Sequence, residues 1–252
     1  ESRVADDVKK AQAMKLPMNG VSADDLVASS RYYLAMRDLI GEERLDALAV
    51  QCWPEMSNMV GHWPYLALTR LTNEGAIASM EGDVDGALTC LIGKLLGAGV
   101  GFITDWLEHD KNTIHFWHPG VAPLSLCNAP SAAGGPSMSR HFNIEKPMVV
   151  DGPLRIDMPV TIARLWRCDD RYHLTALQGR TVKPHRQISG KTAPVRADID
   201  VPGWFDQALH AGLPHHVIVF AGLHMDSLRR TARLLDIDWF SPLEISTREV
   251  HS

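Results

Sequence analysis

An apolar stripe at helical spacing runs through the stretch from Val84 to Leu96. Its members recur at intervals of three and four residues, which predicts an amphipathic helix; they are Val84, Ala87, Leu88, Leu91, Ile92, Leu95 and Leu96. Short apolar runs of strand type lie on either side, GAIASM (75–80) before it and VGFIT (100–104) after it. Strand, helix and strand in this order are typical of a mostly parallel α/β sheet.

The rest of the first half continues this alternation of helix and strand. Ser22 and Asp25 have the spacing of a capping pair and predict a helix that ends at Gly41. The run LDALAVQC (45–52) has the composition of a buried strand. A second helical pattern begins at Pro64, since proline suits the first turn of a helix.

The second half is different, because short β-rich runs follow one another between Pro, Gly and Asp. These runs predict an antiparallel sheet or small barrel; they are IHFWH, PMVV, MPVTIARLW, YHLTALQGRTV and VRADIDV. The chain returns to a strand, HHVIVFAG, and a helix, MDSLRRTARLLDI, with Leu228, Ala232 and Leu235 on one side. We therefore predict an α/β protein with a parallel-sheet domain over 1–110 and a β-rich domain with a terminal strand–helix unit over 111–252.

Composition excludes several classes of protein. The chain has 252 residues with 25 Lys+Arg against 30 Asp+Glu, which is typical of a globular protein and lacks the basic excess of nucleic-acid binders. The longest apolar stretch, 88–104, is interrupted by Lys94 and four glycines, so we expect no membrane span. The four cysteines form no CxxC pair, which predicts neither a disulfide framework nor a zinc knuckle and favours the cytoplasm.

The N-terminal residues ESRVADDVKKAQ include no apolar signal segment and no initiator Met. We therefore expect the chain to be part of a longer gene product.

Two carboxylates follow the strands that flank the central helix. Glu81 lies at the step into this helix and Asp105 at the end of the next strand. Ligands of parallel α/β sheets bind outside the carboxyl ends of the strands, so the two side chains are expected to converge on one crevice. The alternative is that Glu81, Asp83 and Asp85 only cap and decorate the helix start.

Histidine is the other candidate, with twelve in the chain. His215 and His216 precede an apolar strand, and His118 ends a strand shortly after Asp105. Imidazole beside carboxylate is a usual ligand set for divalent metals, although each of these histidines also fits a purely structural role. The motifs GxSxG, GxxxxGK[ST] and HExxH do not occur, and Cys52 has no basic neighbour to activate it.

Five blocks of sequence resemble, in order, the conserved blocks of L-fucose isomerase and its L-arabinose isomerase relatives. They are QCWPEM (51–56), LTNEGAIASMEGDVDGALT (71–89), FITDWLEHDKNTIHFWHPGVAP (102–123), PVTIARL (159–165) and GLPHHVIVFAG (212–222). The resemblance covers residues 45–240, and the N-terminal region of that family has no counterpart here.

The resemblance implies a divalent metal site, commonly for manganese. A glutamate, an aspartate 24 residues later and a histidine near the C-terminus bind the metal in that family, which implies Glu81, Asp105 and His215 as ligands here. His216 is adjacent to His215 and competes for that role. His118 aligns with a histidine often followed by Cys-Gly, whereas Pro119 follows here; this departure favours substrate contact over metal binding.

The implied function is aldose–ketose isomerisation through an enediol, with Glu81 and Asp105 as both metal ligands and acid/base pair and Mn²⁺ or Mg²⁺ as the ion. We expect Trp53, Trp106, His118 and His216 to contact the sugar, with core packing as the alternative for the tryptophans and for Trp117. The competing hypotheses are an isomerase for another hydroxy-carbonyl substrate and a catalytically silent sugar-binding homologue. The resemblance also implies a homo-oligomer whose site lies near subunit contacts.

Overall fold

A computed structural model describes residues 1–119, 121–186 and 188–241. Within these ranges the chain forms seven α-helices: α1 (Ser2–Ala13), α2 (Ala23–Glu42), α3 (Glu55–Val60), α4 (Tyr65–Asn73), α5 (Val84–Leu95), α6 (Val201–His210) and α7 (Met225–Leu234). The same ranges hold eleven strands: β1 (Ala47–Val50), β2 (Ile77–Met80), β3 (Phe102–His109), β4 (Thr113–His118), β5 (Ser137–Arg140), β6 (Pro147–Pro153), β7 (Pro159–Cys168), β8 (Arg171–Thr181), β9 (Lys191–Arg196), β10 (His216–Ala221) and β11 (Asp238–Trp239).

The N-terminal helices begin where the sequence predicts. The Ser22 side chain accepts a hydrogen bond from the Asp25 amide, and the Asp25 carboxylate accepts one from the Ser22 amide, which is a complete capping box. Helix α2 continues to Glu42, so Gly41 does not end it as predicted. Helix α4 begins directly after Pro64, as predicted.

Strands β1 and β2 pair in parallel, in register from Ala47 opposite Ile77 to Val50 opposite Met80. The prediction that β3 continues this parallel sheet is wrong, because β3 pairs antiparallel with β4 and β10. The reason is local. The Asp110 carboxylate accepts hydrogen bonds from the Asn112 and Thr113 amides, which closes a tight turn and makes β3 and β4 a hairpin.

In the described part of the chain, six strands close into an antiparallel barrel in the order β8, β7, β10, β3, β4 and β9, with β9 pairing back to β8. Aromatic and branched side chains fill its interior, among them Phe102, Trp106, Phe116 and Trp166. The β-rich barrel is thus present as predicted, but β3 of the first half contributes to it. The division into domains at residue 110 stays a prediction. Residues 242–252 of the predicted domain 111–252 lie outside the described residues.

Helix α5 packs on the outer face of the barrel through small residues. Gly86, Ala87, Cys90 and Gly93 are buried, whereas Val84 and Leu95 at the ends of the predicted stripe are exposed. A side chain at Gly93 would collide with the ring of Phe220 on β10. The small residues therefore let the helix approach the strand closely, which places the turn before α5 over β3 and β10.

Replacing Gly93 by alanine is expected to destabilise the fold, by about 1–3 kcal/mol, because the added methyl group forces α5 away from Phe220. Urea denaturation measures the change in the free energy of unfolding. The matched control is Gly41→Ala in α2, where the new methyl group meets open space and is expected to stabilise the helix by about 0.5–1 kcal/mol. Equal effects of the two substitutions would contradict this packing.

The C-terminal elements agree with the sequence except in three places. Only Val195 and Arg196 of the predicted β-rich run VRADIDV (195–201) lie in a strand, which is β9. Strand β10 and helix α7 form as predicted, but Leu235 is exposed rather than packed with Leu228 and Ala232. Helix α6 was not predicted, and it buries Trp204 against the barrel interior. No helix of the described residues has the length and apolar character that a membrane crossing requires.

Candidate active site

The candidate site lies on the outer face of the barrel, beneath the turn that joins β2 to α5. Asp105 of β3 and His216 of β10 are direct cross-strand partners, so their side chains project from the same face of the barrel. Glu81 reaches them from above, since it follows the last residue of β2. A strand pair and an overlying turn thus bring together three side chains that are far apart in the sequence.

The turn at Glu81 is unusual for a non-glycine residue. Glu81 has φ +57° and Gly82 has φ +68°, both in the left-handed region. The Glu81 amide points to the Cys52 sulfur at 3.4 Å, and the Gly82 amide donates to the Val50 carbonyl at 3.0 Å. A non-glycine residue held in this region by its surroundings is a strained feature that occurs preferentially at functional sites.

Four side chains approach one another closely at this point. The His216 Nε2 atom lies 3.3 Å from Asp105 Oδ1 and 3.5 Å from Glu81 Oε2. His118 Nε2 lies 3.5 Å from Glu81 Oε1. The two histidines are buried, whereas the side chains of Glu81 and Asp105 are about a quarter exposed. The carboxylates therefore remain accessible from solvent while the imidazoles form the floor.

Asp83 fixes the orientation of His216. The Asp83 Oδ2 atom lies 3.1 Å from His216 Nδ1, and Arg164 donates two hydrogen bonds to the same carboxylate at 2.6 and 2.9 Å. Asp83 also accepts a hydrogen bond from the Gly86 amide at the start of α5. With Nδ1 bound to Asp83, the opposite nitrogen, Nε2, is directed at Glu81 and Asp105.

The charges of the site stabilise one another. Burial alone would raise the pKa of Asp83, but hydrogen bonds from His216 and Arg164 hold it well below its usual value. Burial likewise opposes ionisation of Glu81 and Asp105, yet the neighbouring imidazoles His118 and His216 lower the pKa of each carboxylate. All three acids are therefore ionised at neutral pH.

His216 carries the balancing proton. Burial lowers its pKa, but the adjacent carboxylates of Asp105 and Asp83 outweigh burial and raise the pKa to about 9. In the metal-free chain, the imidazolium of His216 thus neutralises part of the carboxylate charge. A metal cation in the same place would supply that positive charge instead.

The donor set fits a divalent cation. His216 Nε2 is buried and makes no well-aligned hydrogen bond with any described residue, although two carboxylates face it. Two groups of possible ligands have donor atoms within 4.8 Å of one another: Glu81, His215 and His216, and Asp105, His118 and His216. Carboxylate oxygens and imidazole nitrogens are ligands that suit Mn²⁺ or Mg²⁺, whereas thiolates select softer ions.

The remaining predicted site residues differ in their placement. His215 is at the rim, with its side chain 70% exposed and its Nε2 atom 3.7 Å from Asp105 Oδ1. Trp106 points into the barrel, where it stacks on Trp204, because adjacent residues of a strand face opposite sides. Trp106 is therefore not among the side chains that the structure brings together here.

An aromatic wall extends from the carboxylates. Trp53 stacks on Trp63 with ring centroids 5.0 Å apart, and His141 lies 5.7 Å from each of them. Trp117 lies 6.2 Å from His118 and 6.1 Å from His141, which joins this wall to the floor of the site. Flat apolar faces beside polar groups suit the C–H faces of a sugar.

Sequence reasoning missed four of these residues. Asp83 was considered only as a helix cap, although its position in the EGD segment places it next to Glu81. Arg164 had a visible signal, since a buried charged residue inside the apolar run MPVTIARLW requires a partner. Trp63 and His141 had no signal that distinguishes them from core residues.

Replacing Asp83 by asparagine is expected to weaken divalent-metal binding about 10- to 100-fold, because the side chain that orients His216 loses its charge. Isothermal titration with Mn²⁺ measures the change. The matched control is Asp85→Asn, two residues further on in the first turn of α5, which is expected to leave the affinity unchanged. Equal effects of Asp83→Asn and Asp85→Asn would exclude a specific role for Asp83.

Comparison with known proteins gives relatives of one functional kind. The chain is 26% identical to a sulfoquinovose isomerase of Priestia megaterium over 235 residues, which cover 92% of this chain and 52% of that protein. It is 28% identical to a sulfoquinovose isomerase of Clostridium sp. over 242 residues, covering 94% of this chain and 53% of that protein. An L-arabinose isomerase of Escherichia coli is 28% identical over 189 residues, covering 69% and 37% respectively.

No protein-family model matches the chain. The chain spans about half the length of the sulfoquinovose isomerases that it matches. Over most of its own length it is therefore similar to enzymes named as sugar isomerases, whereas its membership of the L-fucose isomerase-like family stays a prediction.

Proposed function

We propose that this chain forms the metal-dependent active site of an aldose–ketose isomerase. The observation that supports this most directly is that the carboxylates of Glu81 and Asp105 each lie within 3.5 Å of the buried Nε2 atom of His216. Two carboxylates that are ionised at neutral pH, together with an oriented imidazole, are the groups that a proton transfer between adjacent carbons requires. The similarity to sugar isomerases supports the same reaction.

We assign the metal to Glu81, Asp105 and His216, with Mn²⁺ or Mg²⁺ as the ion. His215 has the more exposed side chain of the adjacent pair, so we place it at the rim. Two further donors are within reach: His118 forms a possible ligand group with Asp105 and His216, and His215 forms one with Glu81 and His216. When bound, a divalent cation would hold the two sugar oxygens and stabilise the negative charge that develops on them.

The carboxylates perform the proton transfers. In the forward direction, an ionised carboxylate removes the proton from C2 of the aldose while a water molecule gives a proton to the carbonyl oxygen at C1, which yields the enediol. Return of a proton to C1, with loss of the O2 proton, gives the ketose. The net change moves one hydrogen from C2 to C1 and one from O2 to O1, so that no external oxidant or reductant is needed.

The lowered pKa of Glu81 and Asp105 keeps both carboxylates in the proton-accepting form. Their partial exposure leaves one side open to the substrate.

The residues around the carboxylates bind and orient the sugar. His118 is held against Glu81 and packs edge-on against Tyr65 at 5.9 Å, which makes it a rigid hydrogen-bonding group on the floor. Trp53 offers a partly exposed ring at the entrance, supported from behind by Trp63. These contacts would place C1 and C2 next to the carboxylates and exclude water from one face.

The names of the relatives suggest the sugars to test first. Sulfoquinovose and L-arabinose are the sugars in those names, and L-fucose follows from the resemblance in sequence. We further propose a cytoplasmic homo-oligomer whose active site lies near a subunit contact, with neither nucleic acid nor membrane as a partner.

The experiment that tests this function is incubation of the chain with each of the three sugars in D₂O, with and without added Mn²⁺, followed by NMR. We expect ketose to form from one of the aldoses, only when the cation is present, with deuterium incorporated at C1 or C2 through the carboxylates. Binding of Mn²⁺ and sugar without any interconversion would favour the catalytically silent homologue instead.

A further inference from the structure

A second group of possible metal ligands lies on the same outer face of the barrel but outside the site described above. It consists of Glu108 on β3, His115 on β4 and His185 in the loop after β8. One donor atom from each side chain lies within 4.8 Å of the other two. The proposed isomerase reaction uses none of these residues.

A β-bulge brings the first two residues together. The register of β3 and β4 shifts between Trp106 and Glu108, so that Glu108 rather than Leu107 lies opposite His115. Without the extra residue, the exposed Leu107 would be the cross-strand partner of His115. Bulges re-aim side chains in this way and commonly do so beside functional sites.

His185 completes the group from a separate segment of the chain. Its ring packs edge-on against that of His115 with centroids 4.5 Å apart, and its Nε2 atom lies 3.5 Å from Glu108 Oε1. The three side chains line a surface depression of about 440 Å³. Solvent and a hydrated ion therefore have access to all three.

Carboxylate and cationic side chains both surround the group. His115 is half-buried beside His185, and each imidazole offers a ring nitrogen to a metal ion. Arg186 forms an ion pair with Glu108, with 2.9 Å between Nη2 and Oε1. The Arg186 side chain is half exposed, so it has room to turn toward solvent and leave Glu108 to a metal ion. Asp110 lines the same depression and adds negative charge, whereas Lys183 adds positive charge.

We propose that Glu108, His115 and His185 form a second metal site, which binds a borderline transition-metal ion of the Zn²⁺ type. Two imidazoles and one carboxylate are a frequent ligand set for zinc when one coordination position stays open. The proposed isomerase site has two carboxylates and thus suits the harder ions Mn²⁺ and Mg²⁺. The two sites are therefore expected to differ in ion preference, and the second does not depend on the proposed isomerase function.

The test measures Zn²⁺ bound per chain by equilibrium dialysis and atomic emission after removal of metals with a chelator. The measurements use a His216→Ala background, which eliminates the other candidate site; Glu81→Gln, which preserves the side-chain shape, provides a second background. We expect a single Zn²⁺ to remain in either background and to be lost when His185→Ala or His115→Ala is added. His210→Ala is the matched control, because His210 is an exposed histidine outside every group of possible ligands found in the described residues.

Copper provides an independent spectroscopic readout. Cu²⁺ bound at this site should show two imidazole nitrogens in its electron paramagnetic resonance spectrum and one after His185→Ala. His185 is exposed, so this substitution is not expected to alter the melting temperature. Retention of the same Zn²⁺ in His185→Ala and His115→Ala, or no Zn²⁺ bound in either background, would overturn the proposal.

Discussion

Replacing Glu81 by glutamine, or Asp105 by asparagine, is expected to reduce the proposed isomerase turnover by at least about 10³-fold, because each substitution removes a group that we propose as both proton acceptor and metal ligand. The Glu81 and Asp105 carboxylates lie 3.5 and 3.3 Å from the same His216 Nε2 atom, and the proposed site requires both of them. The measurement is the initial rate of ketose formation from each of the three candidate sugars with saturating Mn²⁺, compared with that of the wild-type chain.

Both substitutions preserve size and leave the core unchanged, so the melting temperature reports whether the fold survives. The control is Glu74→Gln. The Glu74 carboxylate follows α4, lies away from the site and accepts a hydrogen bond from the Tyr33 hydroxyl. We expect it to retain wild-type turnover. Full turnover in Glu81→Gln or in Asp105→Asn would contradict the assignment of these carboxylates as the acid/base pair.

The second large effect concerns the stability of the N-terminal helices. Arg70 of α4 donates two hydrogen bonds of 2.7 Å to Asp7 of α1, and both side chains are almost fully buried. The guanidinium also lies 3.7 Å from the ring centre of Tyr33 on α2. Replacing Asp7 by alanine is expected to destabilise the fold by about 3–5 kcal/mol, because a buried arginine loses its only carboxylate partner in the described structure.

Chemical denaturation of wild type and Asp7→Ala tests this effect, with Asp6→Ala as the control. Asp6 is adjacent in sequence, but its ion pair with Lys9 is exposed and is worth less than about 1 kcal/mol.

Burial opposes ionisation of Asp7, yet the hydrogen bonds from Arg70 lower its pKa below the usual value. Because a depressed pKa stabilises the fold only while the acid is ionised, the difference between wild type and Asp7→Ala should shrink as the pH falls through that pKa. If Asp7→Ala were as stable as the wild type near neutral pH, the stabilising role of the buried pair of Asp7 and Arg70 would be contradicted.

Local patterns in the sequence predicted most individual elements. The capping pair at Ser22 and Asp25, the strand before Gln51 and the helix after Asp83 all form at the expected places. Strand pairing was harder to predict, since β3 carries the apolar character of a buried parallel strand and yet forms a hairpin with β4. The buried side of α5 was also misjudged, because its closest contacts are made by Gly86 and Gly93 rather than by its largest apolar residues.

The candidate site was predicted in part, although by a different route from the one the fold takes. Glu81 and Asp105 were expected to meet at one edge of a parallel sheet, whereas they meet because the turn before α5 lies over an antiparallel strand pair. The adjacent residues His215 and His216 cannot be distinguished without the register of β10, which sets His216 opposite Asp105. The same alternation directs Trp106 into the barrel.

The most direct test of the account is Mn²⁺ binding by wild type, His216→Ala and His215→Ala, measured as the loss of the free-ion signal in electron paramagnetic resonance. His216 Nε2 is buried and lies within 3.5 Å of both carboxylates, whereas His215 is at the rim. We predict that wild type and His215→Ala bind Mn²⁺ and that His216→Ala does not. Binding retained in His216→Ala and lost in His215→Ala would contradict the account.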